Sequence, residues 1–163
     1  MSILSELGVR HGKNRGSEIF LYNLACCYMH AERVLEKILA SSGLSPVKLN
    51  ALMIIKHLGC DKWLSQKEIA RRMIVSAGSI TRLLDRLEKN DLIFRSPSAS
   101  DRRVNLIRVT SKASQLLDRV WPVYKKKVDE IVSWVPRSAL RPTTSALHEF
   151  RRKISQIAQE GTP

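Results

Sequence analysis

The sequence predicts a mainly α-helical fold with one small β-hairpin wing, and three features predict it. Two short helical segments separated by a tight turn are followed at once by a hairpin pattern. Long amphipathic segments flank this middle on both sides. The basic charge is densest in the middle itself: residues 61–112 carry 12 basic and 6 acidic side chains, against 7 and 4 for residues 1–60 and 9 and 5 for residues 113–163. The 163 residues together have a formal charge of +13, an excess that selects for an anionic partner, either nucleic acid or a membrane surface. Because the densest charge rides on segments with strong helix signals, it is not a polybasic anchor. No apolar run approaches the ~18 residues of a membrane helix. Met1 to Arg15 lacks the apolar core of a secretion signal. Three cysteines, two of them adjacent, offer no disulfide framework, which points to a reducing cytoplasm. With no membrane-length run and the charge on ordered helices, no membrane partner is expected.

Taken in order, the elements have local causes. From Glu18 to Ala40, Phe20, Leu24, Cys27, Ala31, Leu35 and Ile38 recur at helical spacing, and Ser41-Ser42-Gly43 stops the run. A second helix starts at Ser45 as N-cap, with Pro46 at the first position and Leu44 set to staple against Leu49. Leu52, Met53 and Ile55 continue it to Gly59, and Trp63-Leu64 reads as a short extended rung. Ser65-Gln66-Lys67-Glu68 is a capping box opening a short helix through Ile69, Ala70 and Met73. Ser76 then caps a helix to about Asn90, in which Ile80, Leu83, Leu84 and Leu87 form one buried stripe. Gly78, Arg82, Asp85 and Lys89 fall opposite that stripe, with Ser79 and Arg86 on its flank. This is a helix-turn-helix with a polar, basic outer face.

Leu92 to Arg95 and Val104 to Val109 are β-prone, and the polar stretch Ser96 to Arg103 between them makes a hairpin with a basic tip, the wing. Thr110 caps a long helix to about Trp134, carrying Leu117, Val120, Tyr124, Val128 and Ile131 on one stripe, with Pro122 expected to kink it. Pro136 and Pro142 are expected to bracket a break before a last helix bearing Leu147, Phe150, Ile154 and Ile157. The outer stripes exceed what a small winged lobe can cover, so they are expected to pack against a second subunit. The predicted organisation is an N-terminal dimerisation region over 1–44, a winged helix-turn-helix lobe over 45–110 and C-terminal dimerisation helices over 111–163.

The stretches Leu64 to Ala70, Ser76 to Leu92, and Asp101-Arg102-Arg103-Val104-Asn105-Leu106-Ile107-Arg108-Val109-Thr110 resemble the multiple-antibiotic-resistance regulator (MarR) family of bacterial transcription factors. The last stretch is similar to the family's wing signature, an Asp-x-Arg followed by alternating apolar residues and a helix-opening Thr. Ala113 stands where the family usually has Gly. The resemblance implies a homodimer with one winged lobe per subunit, and often a small-molecule effector, a thiol oxidant or a metal as signal. It also implies that Asp101 orients an arginine through an ion pair.

The residues expected at DNA are Ser76, Gly78, Ser79, Thr81 and Arg82 toward base edges and phosphates, Arg86 and Lys89 on the backbone, and Arg102 and Arg103 in the minor groove or on phosphate. The partner is duplex DNA with a pseudo-palindromic operator, the expected role is that of a repressor, and no cofactor is called for. A sequence-independent architectural DNA binder and a winged helix used for protein–protein contact remain the alternatives. Cys26, Cys27 and Cys60 invite a redox reading, but only His30 offers a basic neighbour, and a free cysteine on an apolar helix face is ordinarily packing. Cys26 and His30 are spaced as two ligands of one metal, with His57, Cys60 or His148 as possible completions, yet no full set is evident. Without a phosphate loop, a nucleophile–base pair or paired carboxylates, the chain does not read as an enzyme.

Overall fold

The computed structural model describes residues 16–59, 62–73, 77–99, 101 and 103–160. The chain divides into two compact units, the first ending at Tyr124 and the second beginning at Lys125. In the first, helix α1 (Gly16–Leu39) runs into a 3-10 turn (Ala40–Ser42), which Gly43 ends with a left-handed φ of 68°. Helix α2 (Pro46–Leu58) starts as its sequence dictates: Lys48 N–H donates to Ser45 Oγ at 3.3 Å, and Leu44 and Leu49 are both buried. Strand β1 (Leu64–Ser65) is the short rung. Its second residue doubles as the cap of helix α3 (Gln66–Ala70), and helix α4 (Ala77–Lys89) follows.

Strands β2 (Ile93–Pro97) and β3 (Asn105–Val109) form the hairpin, and β1 adds to its far side, giving an antiparallel sheet in the order β1-β3-β2. Pairing Leu64 with Ile107 and Ile93 with Val109 turns those side chains to one face, where Leu64, Ile93 and Ile107 are buried. One core unites this face with Leu39 from α1, Leu52 and Ile55 from α2, Ile69 from α3, and Ile80, Leu84 and Leu87 from α4. Helix α5 (Ser111–Val132) joins through Ala113 and Leu117, and Lys56 Nζ reaches Asp118 Oδ1 at 2.7 Å to pin α2 to it. Each apolar side chain fully removed from water contributes about 1.5–3 kcal/mol, so this core holds the lobe together.

The joint between α4 and α5 is closely bonded. Asp91 N–H donates to Glu88 O at 2.8 Å and Leu92 N–H to Leu87 O at 2.9 Å, with Asp91 at a φ of 57°, the pattern of a Schellman C-cap. Thr110 then caps α5 through Ala113 N–H (3.0 Å) while its own hydroxyl donates to Asp91 O (2.8 Å), and Lys112 Nζ donates to Asn90 O (2.8 Å).

The second unit holds the end of α5 and helix α6 (Arg137–Glu160). Here the sequence expectation needs correcting. The break lies at residues 133–136, and α6 runs through Pro142 instead of starting after it. Proline's φ fits a helix and only one N–H is lost, so the helix gives up a rung and keeps its continuity. Helix α5 likewise continues through Pro122. Trp134, Ile154 and Ile157 are exposed, and Leu147 and Phe150 are half-buried. Among the described residues no single helix is long and apolar enough to cross a membrane.

Candidate nucleic-acid interface

Helix α4 is placed by its stripe. Ile80, Leu83, Leu84 and Leu87 are buried, which leaves Gly78, Thr81, Arg82, Asp85, Arg86 and Lys89 exposed and Ser79 half-buried. The contact residues expected on α4 therefore share one outer surface, open at its N-terminal end. A Cβ built on Gly78 would meet nothing within 4 Å, so the protein itself does not require glycine there. Helix α3 buttresses this end: Gln66 Nε2 donates to Thr81 Oγ1 at 2.8 Å. The buttress is itself fixed by the capping box. Glu68 Oε2 accepts from Ser65 N–H and Ser65 Oγ at 2.8 Å, and Ser65 Oγ accepts from Glu68 N–H at 3.3 Å. The Ser65 amide first, then its hydroxyl, then the Lys62 ammonium hold the Glu68 carboxyl below its ordinary range.

The described residues of the wing tip are closely bonded. Asp101 Oδ1 accepts from the Arg103 N–H at 2.9 Å, Val104 N–H donates to Asp101 O at 2.9 Å, and Ser98 N–H closes onto Val104 O at 2.8 Å. Asp101 thus acts on Arg103 through the main chain, by a bond that fixes where the arginine leaves the loop. Arg103 is exposed and lines an open cleft with Gln66, Lys67, Ile80 and Asn105, so wing, α3 and the start of α4 meet at one place. The expected contacts Ser76 and Arg102 lie outside the described residues.

Sequence reasoning missed Arg95. On β2 it turns inward toward α4, with Nη2 2.7 Å from Asp85 Oδ1 and Nε 3.4 Å from Glu88 Oε2. Both nitrogens are sheltered from solvent and neither meets hydrogen-bond geometry, so the contact is ionic. The available signal was an i, i+3 acidic pair on an otherwise basic helix. Lys67 was also missed: it is exposed at the cleft that Arg103 lines.

Away from this face, Cys26 is half-buried and Cys27 exposed on α1, while Cys60 lies outside the described residues. Among the described residues no group of three or more His, Cys, Asp or Glu side chains is arranged to hold a metal. Between α1, α2 and α5 lies a cleft of about 230 Å³, lined by Tyr28, Glu32, Leu35, Asn50, Met73 and Tyr124. There Tyr28 donates to Glu32 Oε1 at 3.0 Å, and this bond, then desolvation, then the carboxylate charges raise the phenol above its ordinary value.

Helix-turn-helix, three-stranded wing sheet and flanking long helices define a winged helix-turn-helix protein. Residues 44–104 match the MarR family. The HTH-type transcriptional regulator MhqR of Bacillus subtilis (strain 168) is 30% identical over 134 residues, 82% of this chain and 90% of that protein. The chain belongs to the MarR family: it is a transcriptional regulator, not an enzyme. Solved structures agree in fold. A putative MarR-like transcription regulator from Bacillus cereus ATCC 10987 superposes with a TM-score of 0.75 at 14% identity, covering 86% of this chain and 99% of that one. The S. aureus MepR–DNA complex gives 0.77 at 18%, covering 83% and 97%. The repressor CouR, bound to a 23-mer DNA duplex, gives 0.75 at 22%, covering 87% and 99%.

Proposed function

We propose that this chain is a cytoplasmic, homodimeric repressor that reads a pseudo-palindromic duplex operator and is released by a small ligand. The observation that carries the reading is the exposed Arg82–Arg86–Lys89 face of α4, whose opposite stripe is buried and whose N-terminal end adjoins the Arg103 cleft. A helix so held enters the major groove with its first turns at the bases. Ser76, Gly78, Ser79, Thr81 and Arg82 then face base edges, Arg86 and Lys89 take phosphates, and Arg102 and Arg103 follow the minor groove. MepR and CouR were solved on DNA, which supports the same partner here.

Residues 1–44 and 111–163 serve dimerisation around the lobe at 45–110, and the exposed Ile154 and Ile157 of α6 support a partner face. Two recognition helices related by a twofold axis sit about one turn of duplex apart, ~10 bp. The cleft at Tyr28, Leu35, Met73 and Tyr124 is the place for an effector, which acts only through its different affinities for the DNA-competent and DNA-incompetent dimer. Selection from a random duplex pool tests the reading: recovery of a pseudo-palindrome is expected, and a pool that stays unenriched leaves an architectural DNA binder.

A further inference from the structure

From the Arg95–Asp85–Glu88 cluster we infer that Arg95 is a positioning residue for DNA binding: it masks two carboxylates that the DNA-facing helix would otherwise turn toward phosphate, and it ties wing to helix by the same contact. The inference rests on the DNA reading above and adds a residue and a role to it. Arg82, Asp85 and Lys89 stand at i, i+3 and i+7, so the Asp85 carboxylate lies between two cations of one outer face. Left unpaired, that carboxylate would repel the polyanion and draw its neighbours' cations away from it. Arg95 approaches from the side, on the strand that leads into the wing, with a side chain only 18% exposed beside carboxylates 53% and 44% exposed. A guanidinium held there is poorly placed to touch phosphate itself. Its charge is spent on Asp85 and Glu88, and its reach fixes the distance between β2 and α4.

The recognition face therefore keeps Arg82, Arg86 and Lys89 for DNA although acidic residues are interleaved with them. Those acids have a use: they give the wing strand a fixed anchor on the helix, so Arg103 and the base-reading turn keep a constant offset.

The test uses the full chain, a duplex recovered by selection and a random duplex of equal length. Arg95→Met keeps the apolar stem and removes the charge. It is expected to weaken both duplexes about tenfold at low salt, with the deficit shrinking as salt screens the exposed carboxylates. Adding Asp85→Asn and Glu88→Gln to it is expected to restore binding to the random duplex to within about threefold, because the repulsion is gone. Recovery on the selected duplex should be only partial, because the anchor is gone too. Asp85→Asn with Glu88→Gln on the native background changes only part-exposed side chains, and it is expected to tighten the random duplex by about threefold because two negative charges leave the DNA-facing helix. A triple variant as weak as Arg95→Met on the random duplex, or a double variant with unchanged affinity, overturns the masking role while leaving the regulator reading intact. A native chain that binds neither duplex overturns both.

Discussion

Asp101 Oδ1 accepts the main-chain N–H of Arg103 at 2.9 Å, so the wing's acidic residue organises its arginine by an acceptor atom. Asn at position 101 offers the same acceptor without the charge. Asp101→Asn should therefore bind the selected duplex as tightly as the native chain or better, and Asp101→Ala should lose about three- to tenfold as the tip opens. Fluorescence anisotropy on both variants checks this, and equal losses would show that charge, not the turn, is what matters.

Arg82 and Arg103 should differ in kind. Arg82→Ala is expected to cost ~1–3 kcal/mol per half-site on the selected duplex and much less on a random one, as for a residue reading a base edge. Arg103→Ala should weaken both alike and lower the salt slope by about 1 for each phosphate left without its cation. Titrations of both variants on both duplexes across a salt series decide between these roles.

At Gly78 stability and binding should move in opposite directions. With open space around the would-be Cβ, Gly78→Ala is expected to raise thermal stability by up to about 1 kcal/mol through helix propensity. It should at the same time weaken the selected duplex, because the added methyl meets DNA where the protein left room. Calorimetry and a binding titration on one preparation suffice, and unchanged affinity would move the close approach elsewhere on α4.

Glu68 gives the acid limb. Its carboxyl titrates lower folded than unfolded, so its stabilisation is complete above the ordinary carboxylate value and lost as pH falls through the depressed folded value. Glu68→Ala should cost about 1 kcal/mol at neutral pH, by loss of the capping box, and the gap to the native chain should begin to narrow as pH falls below the ordinary carboxylate value, about 4.3. Urea unfolding at a series of pH values measures it.

Ending the chain before Leu147 removes Leu147, Phe150, Ile154 and Ile157, each worth roughly 1.5–3 kcal/mol where a partner buries it. The truncated chain should be monomeric at micromolar concentration by light scattering and should lose most operator affinity. A persistent dimer would place the interface elsewhere.

The parts legible in the sequence were those whose causes are local. Ser45, Ser65 and Thr110 each cap a helix by reaching an amide three residues on, a geometry written in the spacing itself. The buried stripe of α4 was legible for the same reason, since its period is the helix period. Gln66 against Thr81, fifteen residues apart, and Arg95 against Asp85, ten apart, were not: only the packing of α3, α4 and β2 brings them together. Pro142 misled because a strong local breaker was weighed without the helix on both sides of it. The left-handed turn at Asp91 was hidden by a residue type that allows that conformation without demanding it.

That turn at Asp91 has a mechanical meaning. The peptide leaving α4 is clamped by Thr110, Lys112 and the Asp91 turn onto the first residues of α5, so the two helix ends share one rigid weld with no slack between them. A shift at the start of α5 would therefore be passed to the end of α4 through these bonds. The left-handed turn at the centre of this weld costs about 1 kcal/mol that glycine would spare. Substituting glycine there would spare that cost and keep the main-chain bonds, giving up only the ion pair between Lys112 and Asp91.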